Sequence, residues 1–337
     1  MEFLLAEALG KPVWAWLFFI ALVIGLLAFD LGVLHRGSKE IGVRQSLRLS
    51  AFYIVIGLLF SLWVLHFAGE QAAVDYLTGF VVEKSLAMDN IFVIAMIFTY
   101  FGIPRALQHR VLVYGVIGVL LLRGVMIGAG AAIVAEFEWV LLIFAAFLVF
   151  TGVKMLTSGE EEYDVAGNPI LKFLQRNMRV SHNLHGDRFF VCEPCPRHGR
   201  LRRVATPLFL ALVMVELADV IFAVDSIPAI FAITTDPYVV YTSNIFAILG
   251  LRALFFALSA MMHRFAYMQA ALALVLIFIG GKVILAEFLD LEKVPATFSL
   301  GVTLAILAGG VLYSLWRTRG DAGTVAAGPE AAAVSRD

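Results

Sequence analysis

At 337 residues the chain is long enough for a large domain, but 61% of it is apolar, only 15% is charged, and its mean hydropathy is +0.91. Such a composition excludes an ordinary soluble domain and marks a polytopic membrane protein. A formal net charge of -1 with no basic tract offers nucleic acid no footing, and two cysteines, Cys192 and Cys195, are too few for a disulfide framework.

About nine apolar stretches of roughly 20 residues follow along the chain, the length that a hydrocarbon core of about 30 Å asks of a helix. They fall near 13 to 34, 49 to 68, 75 to 100, 109 to 133, 138 to 156, 205 to 233, 238 to 262, 268 to 289 and 297 to 316. The expected fold class is all-α, a polytopic bundle of transmembrane helices. Met1 to Gly10 has no basic region and no small-residue cleavage site follows the first apolar run, so span one is expected to persist.

The connecting segments carry the orientation. Arg36, Lys39, Arg44 and Arg48 follow span one, and Arg105 and Arg110 follow span three. Lys154 through Arg203 bracket the long central loop, Arg264 follows span seven, and Arg317 and Arg319 follow span nine. The other connections hold Glu70 and Asp75, Glu136 and Glu138, Asp236, and then Glu287, Asp290 and Glu292 against Lys293. Basic connections stay in the cytoplasm, which predicts an outer N-terminus and a cytoplasmic C-terminus. The Ala- and Gly-rich stretch 320–337 reads as a disordered cytoplasmic tail.

Two of the apolar spans share an acidic pattern. EKSLAMDNI runs from Glu83 to Ile91 in span three, and DVIFAVDSI from Asp219 to Ile227 in span six, with Glu216 one turn earlier. Carboxylates at membrane depth cost several kcal/mol unless paired, hydrated or coordinated, so the matched pair reads as a functional site. With the orientation above, the two copies run antiparallel. LLLRGV around Arg123 in span four matches LGLRAL around Arg252 in span seven, and FTGVKML with Lys154 matches FIGGKVIL with Lys282. Spans three to five and six to eight therefore read as an inverted 3+3 repeat, with a central site at the repeat interface. The segments that follow are 1–74 (spans one and two), 75–156 (first repeat), 157–204 (cytoplasmic loop), 205–290 (second repeat), 291–319 (last span) and 320–337 (tail).

Asp89 and Asp225 stand about 14 and 20 residues into their spans, near the bilayer middle at about 1.5 Å per residue. Glu83 and Asn90 share a helix face, as do Asp219 and Ser226, and Glu216 neighbours Asp219 at i, i+3. Oxygen donors of this kind, several anionic, suit a hard divalent cation such as manganese, magnesium or calcium. Pro228 frees the Val224 carbonyl beside Asp225 as a further oxygen. Against this stands the plain alternative that a buried acid pairs with a basic group, above all Glu83 beside Lys84. Arg123, Arg252, Lys84 and Lys282 read as charge-balancing groups, the arginines taking over the carboxylates when the metal leaves. Asp30 lines an exit or snorkels to the interface, and Met88 reads as packing, since its thioether is a poor donor for hard ions.

The central loop contains CEPCPRHG. Cys192, Cys195 and His198 form a C-x2-C-x2-H cluster that would hold zinc or iron(II) if His182 or His185 joined it, though this is half of a zinc signature. Cys-Glu-Pro-Cys also has the form of a redox dithiol, but without thioredoxin-like surroundings, and an accidental or local turn role stands ahead of metal sensing, with redox chemistry last. EEEYD, Glu160 to Asp164, reads as a solvated charge run.

EKSLAMDNIF, VELADVIFAVDSIPAIFAIT, the loop NPILKFLQRNMRV with FFV and RRVATPLFLAL, and SNIFAILGLRALFFAL together resemble the TerC family of integral membrane proteins, within it the Alx branch. The resemblance covers nearly the whole chain from span one to span nine. It implies manganese export across the bacterial inner membrane and supply of manganese to secreted proteins. The family's acidic motifs carry over to Glu83, Asp89, Asn90, Glu216, Asp219, Asp225 and Ser226. The chain departs from the family in CEPCPRHG, where cysteines are not expected.

Two functions remain at this stage. The first is a secondary transporter that exports manganese(II), in exchange for protons, with Asp89 and Asp225 alternating between metal-bound and protonated forms. The second is a membrane scaffold or redox modulator acting through the cytoplasmic loop. A membrane enzyme ranks third, for no Ser/His/Asp or Cys/His set lies in one compartment, and no Walker lysine loop couples transport to ATP. The expected partners are membrane lipid and the divalent ion, with no permanently bound cofactor.

Overall fold

The computed structural model describes residues 7–34, 42–157, 164–181, 183–194, 201–259, 268–289 and 295–318. Hydrocarbon offers the backbone no hydrogen bonds, so an apolar run must close its own and becomes a helix. The chain forms α1 (Val13–Leu34), α2 (Val43–Ala68), α3 (Glu70–Tyr100), α4 (Arg105–Glu136) and α5 (Val140–Thr157). After a central segment come α7 (Pro207–Phe231), α8 (Pro237–Ile248), α9 (Leu251–Leu258), α10 (Met268–Phe288) and α11 (Ala296–Arg317), α6 being the short helix Pro169–Asn177. A two-residue strand pair, β1 (Glu7–Ala8) with β2 (Lys11–Pro12), precedes α1. The protein is an all-α polytopic bundle.

Eight stretches, with α8 and α9 counted as one, are long and apolar enough to cross a membrane. The remaining expected span, α3, carries Glu70, Asp75, Glu83, Lys84 and Asp89 along its 31 residues. Its length of about 46 Å at 1.5 Å per residue is ample for a crossing, and an ion pair requires one. Lys11, ahead of α1, meets Asp236, ahead of α8, at 3.2 Å, so the two lie on one face. With α3 as a crossing, six crossings separate them, an even number; without it five would put them on opposite faces. Arg110 of α4 pairs with Asp187 of the central segment on the other face.

The charged helix is the central one. α3 packs on α2, α7, α8 and α11, while α4 packs on α7 and α5 on α10. Small residues set the α5–α10 crossing, where a Cβ on Gly152 would stand 2.7 Å from the Ala273 carbonyl oxygen. A Cβ on Gly280 would likewise stand 2.5 Å from the Ala145 carbonyl oxygen, so the helices meet backbone to backbone.

The seventh span departs from the single helix expected over 238–262. α8 ends at Ile248, α9 begins at Leu251, and Gly250 between them takes the left-handed φ of +82°. Tyr53 of α2 fills the space where a side chain at Gly250 would stand, with its Cβ 2.7 Å away. The interruption lies deep in protein: 89% of this span is buried, against at most 44% of any other candidate span. Membrane-level backbone outside a helix is tolerated only in such a place. Asp236 starts α8, its Oδ1 accepting from Tyr238 N at 2.9 Å and Val239 N at 3.4 Å, with Pro237 at the first helical position.

The central segment, expected as a loop, is partly structured. Asn168 caps α6 by accepting from Ile170 N at 2.9 Å. β3 (Phe190–Pro194) and β4 (Leu201–Ala205) form an antiparallel hairpin with Cys192 opposite Arg203. Arg36, Lys39, Glu160, His182, Cys195, His198, Arg264, Asp290, Glu292, Lys293, Arg319 and the tail 320–337 lie outside the described residues.

Candidate functional site

The two acidic motifs meet at one arginine. Arg123 of α4 is 1% exposed. Its Nε and Nη2 donate to Asp219 Oδ2 and Oδ1 of α7, each at 3.0 Å, a bidentate fork. Nη1 donates to Glu83 Oε1 of α3, to Ser226 Oγ at 3.1 Å and to Asn244 Oδ1 of α8 at 3.5 Å. Four helices therefore converge on one guanidinium. Glu83 and Asp219 hold the same position in the two copies of the motif.

Helix geometry decides which ligand candidates join this node. At about 100° per residue, Ser226 lies seven residues from Asp219 and returns to its face, whereas Asp225, six away, is turned by about 120°. Asp225 accordingly faces α5, accepting from Thr151 Oγ1 at 3.4 Å, with Lys154 as its cationic neighbour. Glu216 lies over α4, where a Cβ on Gly118 would fall 2.2 Å from its Oε1, and that glycine is what makes room for the carboxylate. Its Oε2 is buried without a hydrogen-bond partner among the described residues, as is Asn244 Nδ2. The position of Asp89 falls within α3, but its side chain is outside the described set.

Asn90, Asp219 and Arg252 line a cavity of about 20 Å³ between α3, α4, α7 and the α8–α9 break, with Gly115, Ile248 and Leu251 also on its wall. That volume admits one water or one ion. Among the described residues no group of three or more His, Cys, Asp or Glu side chains gathers as a metal cluster. A guanidinium, not a shared metal position, stands between Glu83 and Asp219.

The other expected charge-balancing groups find different partners. Arg252 of α9 pairs with Asp30 Oδ1 of α1 at 2.5 Å and shares a hydrogen bond with His109 Nε2 at 2.9 Å. Lys84 Nζ donates to the Ala247 and Leu249 carbonyls at 2.8 and 3.3 Å. Lys282 Nζ donates to Ser299 Oγ of α11 at 3.2 Å. Met88 packs against the apolar clusters, in keeping with its reading as packing. In the hairpin Cys192 is exposed, Arg203 lies over the Phe190 ring at 4.6 Å, and His185 Nε2 is 3.5 Å from Glu193 Oε1.

Asn244 and Thr151 were not anticipated as site residues. Their signal in the sequence is a polar side chain inside an apolar run, SNIF for the one and FTG for the other. It is a weak signal, because Ser and Thr in membrane helices mostly bond their own backbone, as Ser243 and Thr242 do here.

A family model described as the integral membrane protein TerC family matches residues 68–322. Among curated relatives, an uncharacterized membrane protein of Rickettsia bellii (strain RML369-C) is 44% identical over 303 residues, covering 90% of this chain and 97% of its own length. A protein of Escherichia coli (strain K12) named as a proposed membrane-bound redox modulator, Alx, is 43% identical over 319 residues, covering 92% of this chain and 96% of its own length. A protein of the same name in Salmonella typhi is also 43% identical over 319 residues. No solved structure matches the chain. With the family model running through both acidic motifs and relatives above 40% identity along nine-tenths of its length, the chain belongs to the TerC family of integral membrane proteins.

Proposed function

We propose that the protein is a secondary transporter of a hard divalent cation, exporting manganese(II) across the bacterial inner membrane in exchange for protons. The observation that carries this reading is the gathering of Glu83 and Asp219, one from each motif copy, on the buried Arg123 beside a cavity of ion size. Five motif carboxylates, Glu83, Asp89, Glu216, Asp219 and Asp225, outnumber the buried cations Arg123 and Lys84, and Arg252, also buried, is taken by Asp30. A bundle interior cannot hold that excess as bare charge, so protons or a metal ion must balance it. Arg123 acts as a tethered counter-ion that occupies the carboxylates while the cation is absent. Asp225, on the α5 side, belongs to a second station of the same path.

The inverted repeat belongs to this reading. The reciprocal glycine contacts support it, because Gly152 on Ala273 and Gly280 on Ala145 exchange equivalent positions of the two halves. The basic connections argue for an outer N-terminus and a cytoplasmic C-terminus. Manganese over magnesium and calcium rests on the family resemblance, since all three accept carboxylate and amide oxygens.

Everted vesicles bearing the protein should accumulate manganese(II) when a proton gradient is imposed, and Asp219→Asn and Asp225→Asn should each abolish this. Uptake that survives both substitutions overturns the proposal. The name of the Alx relatives favours a redox role, for which exposed Cys192 on the hairpin is the available thiol. Replacing Cys192 and Cys195 with serine separates the readings, because it leaves manganese uptake intact in a transporter and removes the function of a redox modulator.

A further inference from the structure

A helix that stops inside a membrane protein leaves its last carbonyl oxygens without partners and with the negative end of its dipole unanswered. α8 stops in this way in the most buried span of the bundle. What answers it is Lys84 of α3, itself 7% exposed, whose ammonium is not drawn to the neighbouring Glu83, because Glu83 Oε1 accepts from Arg123 instead. Nζ donates instead to Ala247 O at 2.8 Å and Leu249 O at 3.3 Å, on the near side of the left-handed Gly250. Carbonyl oxygens converging at the C-terminal end of a half-helix are the means by which discontinuous membrane helices hold small cations. Here the cation is covalently attached to the neighbouring helix.

We propose that the break in the seventh span is a monovalent-cation site whose occupant is the protein's own Lys84 ammonium. The site fixes the angle between α8, which carries Asn244 to Arg123, and α9, which carries Arg252 to Asp30. Both walls of the ion-sized cavity nearest the break, Ile248 and Leu251, are set by it. Lys84 is thus a positioning residue, and its place is open to a free alkylammonium ion once the side chain is shortened.

The test is hydrogen exchange of residues 246–253 in the purified full-length protein, a readout independent of metal transport. Lys84→Ala should speed exchange there about tenfold or more, as expected when buried carbonyls lose their donor. Millimolar propylammonium, which replaces the missing atoms and the charge, should restore slow exchange, whereas 1-propanol should not. Equal rescue by propanol would reduce Lys84 to a filler of volume and overturn the proposal, as would no rescue or no change on substitution. If Lys84→Ala does not accumulate, Lys84→Arg against Lys84→Met decides. A stable, protected Lys84→Arg beside an unstable Lys84→Met supports the proposal, and equal behaviour of the two overturns it.

Discussion

Arg123 is a single residue on which two halves of the sequence depend, and its removal has a calculable sign. Arg123→Met would leave Glu83 and Asp219 buried without their counter-charge, a loss of about 3–5 kcal/mol for a broken buried pair. We expect a lower melting temperature in detergent for Arg123→Met, recovered largely in the triple variant Arg123→Met, Glu83→Gln, Asp219→Asn, which has no charge left to strand. A triple variant no more stable than the single one would show that the guanidinium contributes packing and not charge balance. That a mid-membrane arginine answers the acidic motifs was legible in LLLRGV. Which acids it answers was hidden only in part, since the 120° between Asp219 and Asp225 follows from helix geometry. What the sequence could not reveal is the neighbour waiting on the other side, Thr151 of α5 for Asp225 and Gly118 of α4 for Glu216. Spacing within one helix says which way a side chain leaves, and only packing says what it meets.

At the scale of elements, the helices were legible from hydropathy and the break in the seventh span was not. LGLR within an apolar run looks continuous, because a glycine inside a helix costs only about 1 kcal/mol relative to alanine and does not stop it. The interruption is tertiary, made by Tyr53 filling the space beside Gly250 and by Lys84 meeting the freed carbonyls. Adjacent glycines in α10 show the same limit. Gly280 and Gly281 are identical in sequence terms, yet a Cβ at Gly280 meets the Ala145 carbonyl oxygen at 2.5 Å while one at Gly281 meets nothing within 4 Å. Gly280→Ala should therefore destabilise by about 1–3 kcal/mol through overpacking of the α5–α10 crossing. Gly281→Ala should stabilise by up to about 1 kcal/mol through helix propensity. Thermal melting of the two variants side by side checks this, and equal shifts would mean that the crossing is not held by backbone contact.

For the whole molecule, the sequence predicted alternation and the ion pairs constrain it. Lys11–Asp236 is compatible with a crossing α3 and not with an α3 lying on one face, so the most charged helix is also a full span, while Arg110–Asp187 requires only that α4 and α5 both cross. Its apolar run is long enough to cross, and what sets it apart is its charges, which lie where a bilayer would expel them unless protein surrounds them. The enclosing α2, α7, α8 and α11 supply that protein, and it is in this sense that the bundle exists around α3. Single cysteines placed in a background with Cys192 and Cys195 replaced by serine read the topology directly. Glu7→Cys and Glu138→Cys, both at exposed positions, should react with an impermeant maleimide in spheroplasts, and Ala106→Cys only in everted vesicles. If α3 did not cross, Glu7→Cys and Ala106→Cys would react from the same side. If the basic connections faced outward, all three would exchange sides together, and the direction of export proposed for the cation would have to be reversed with them.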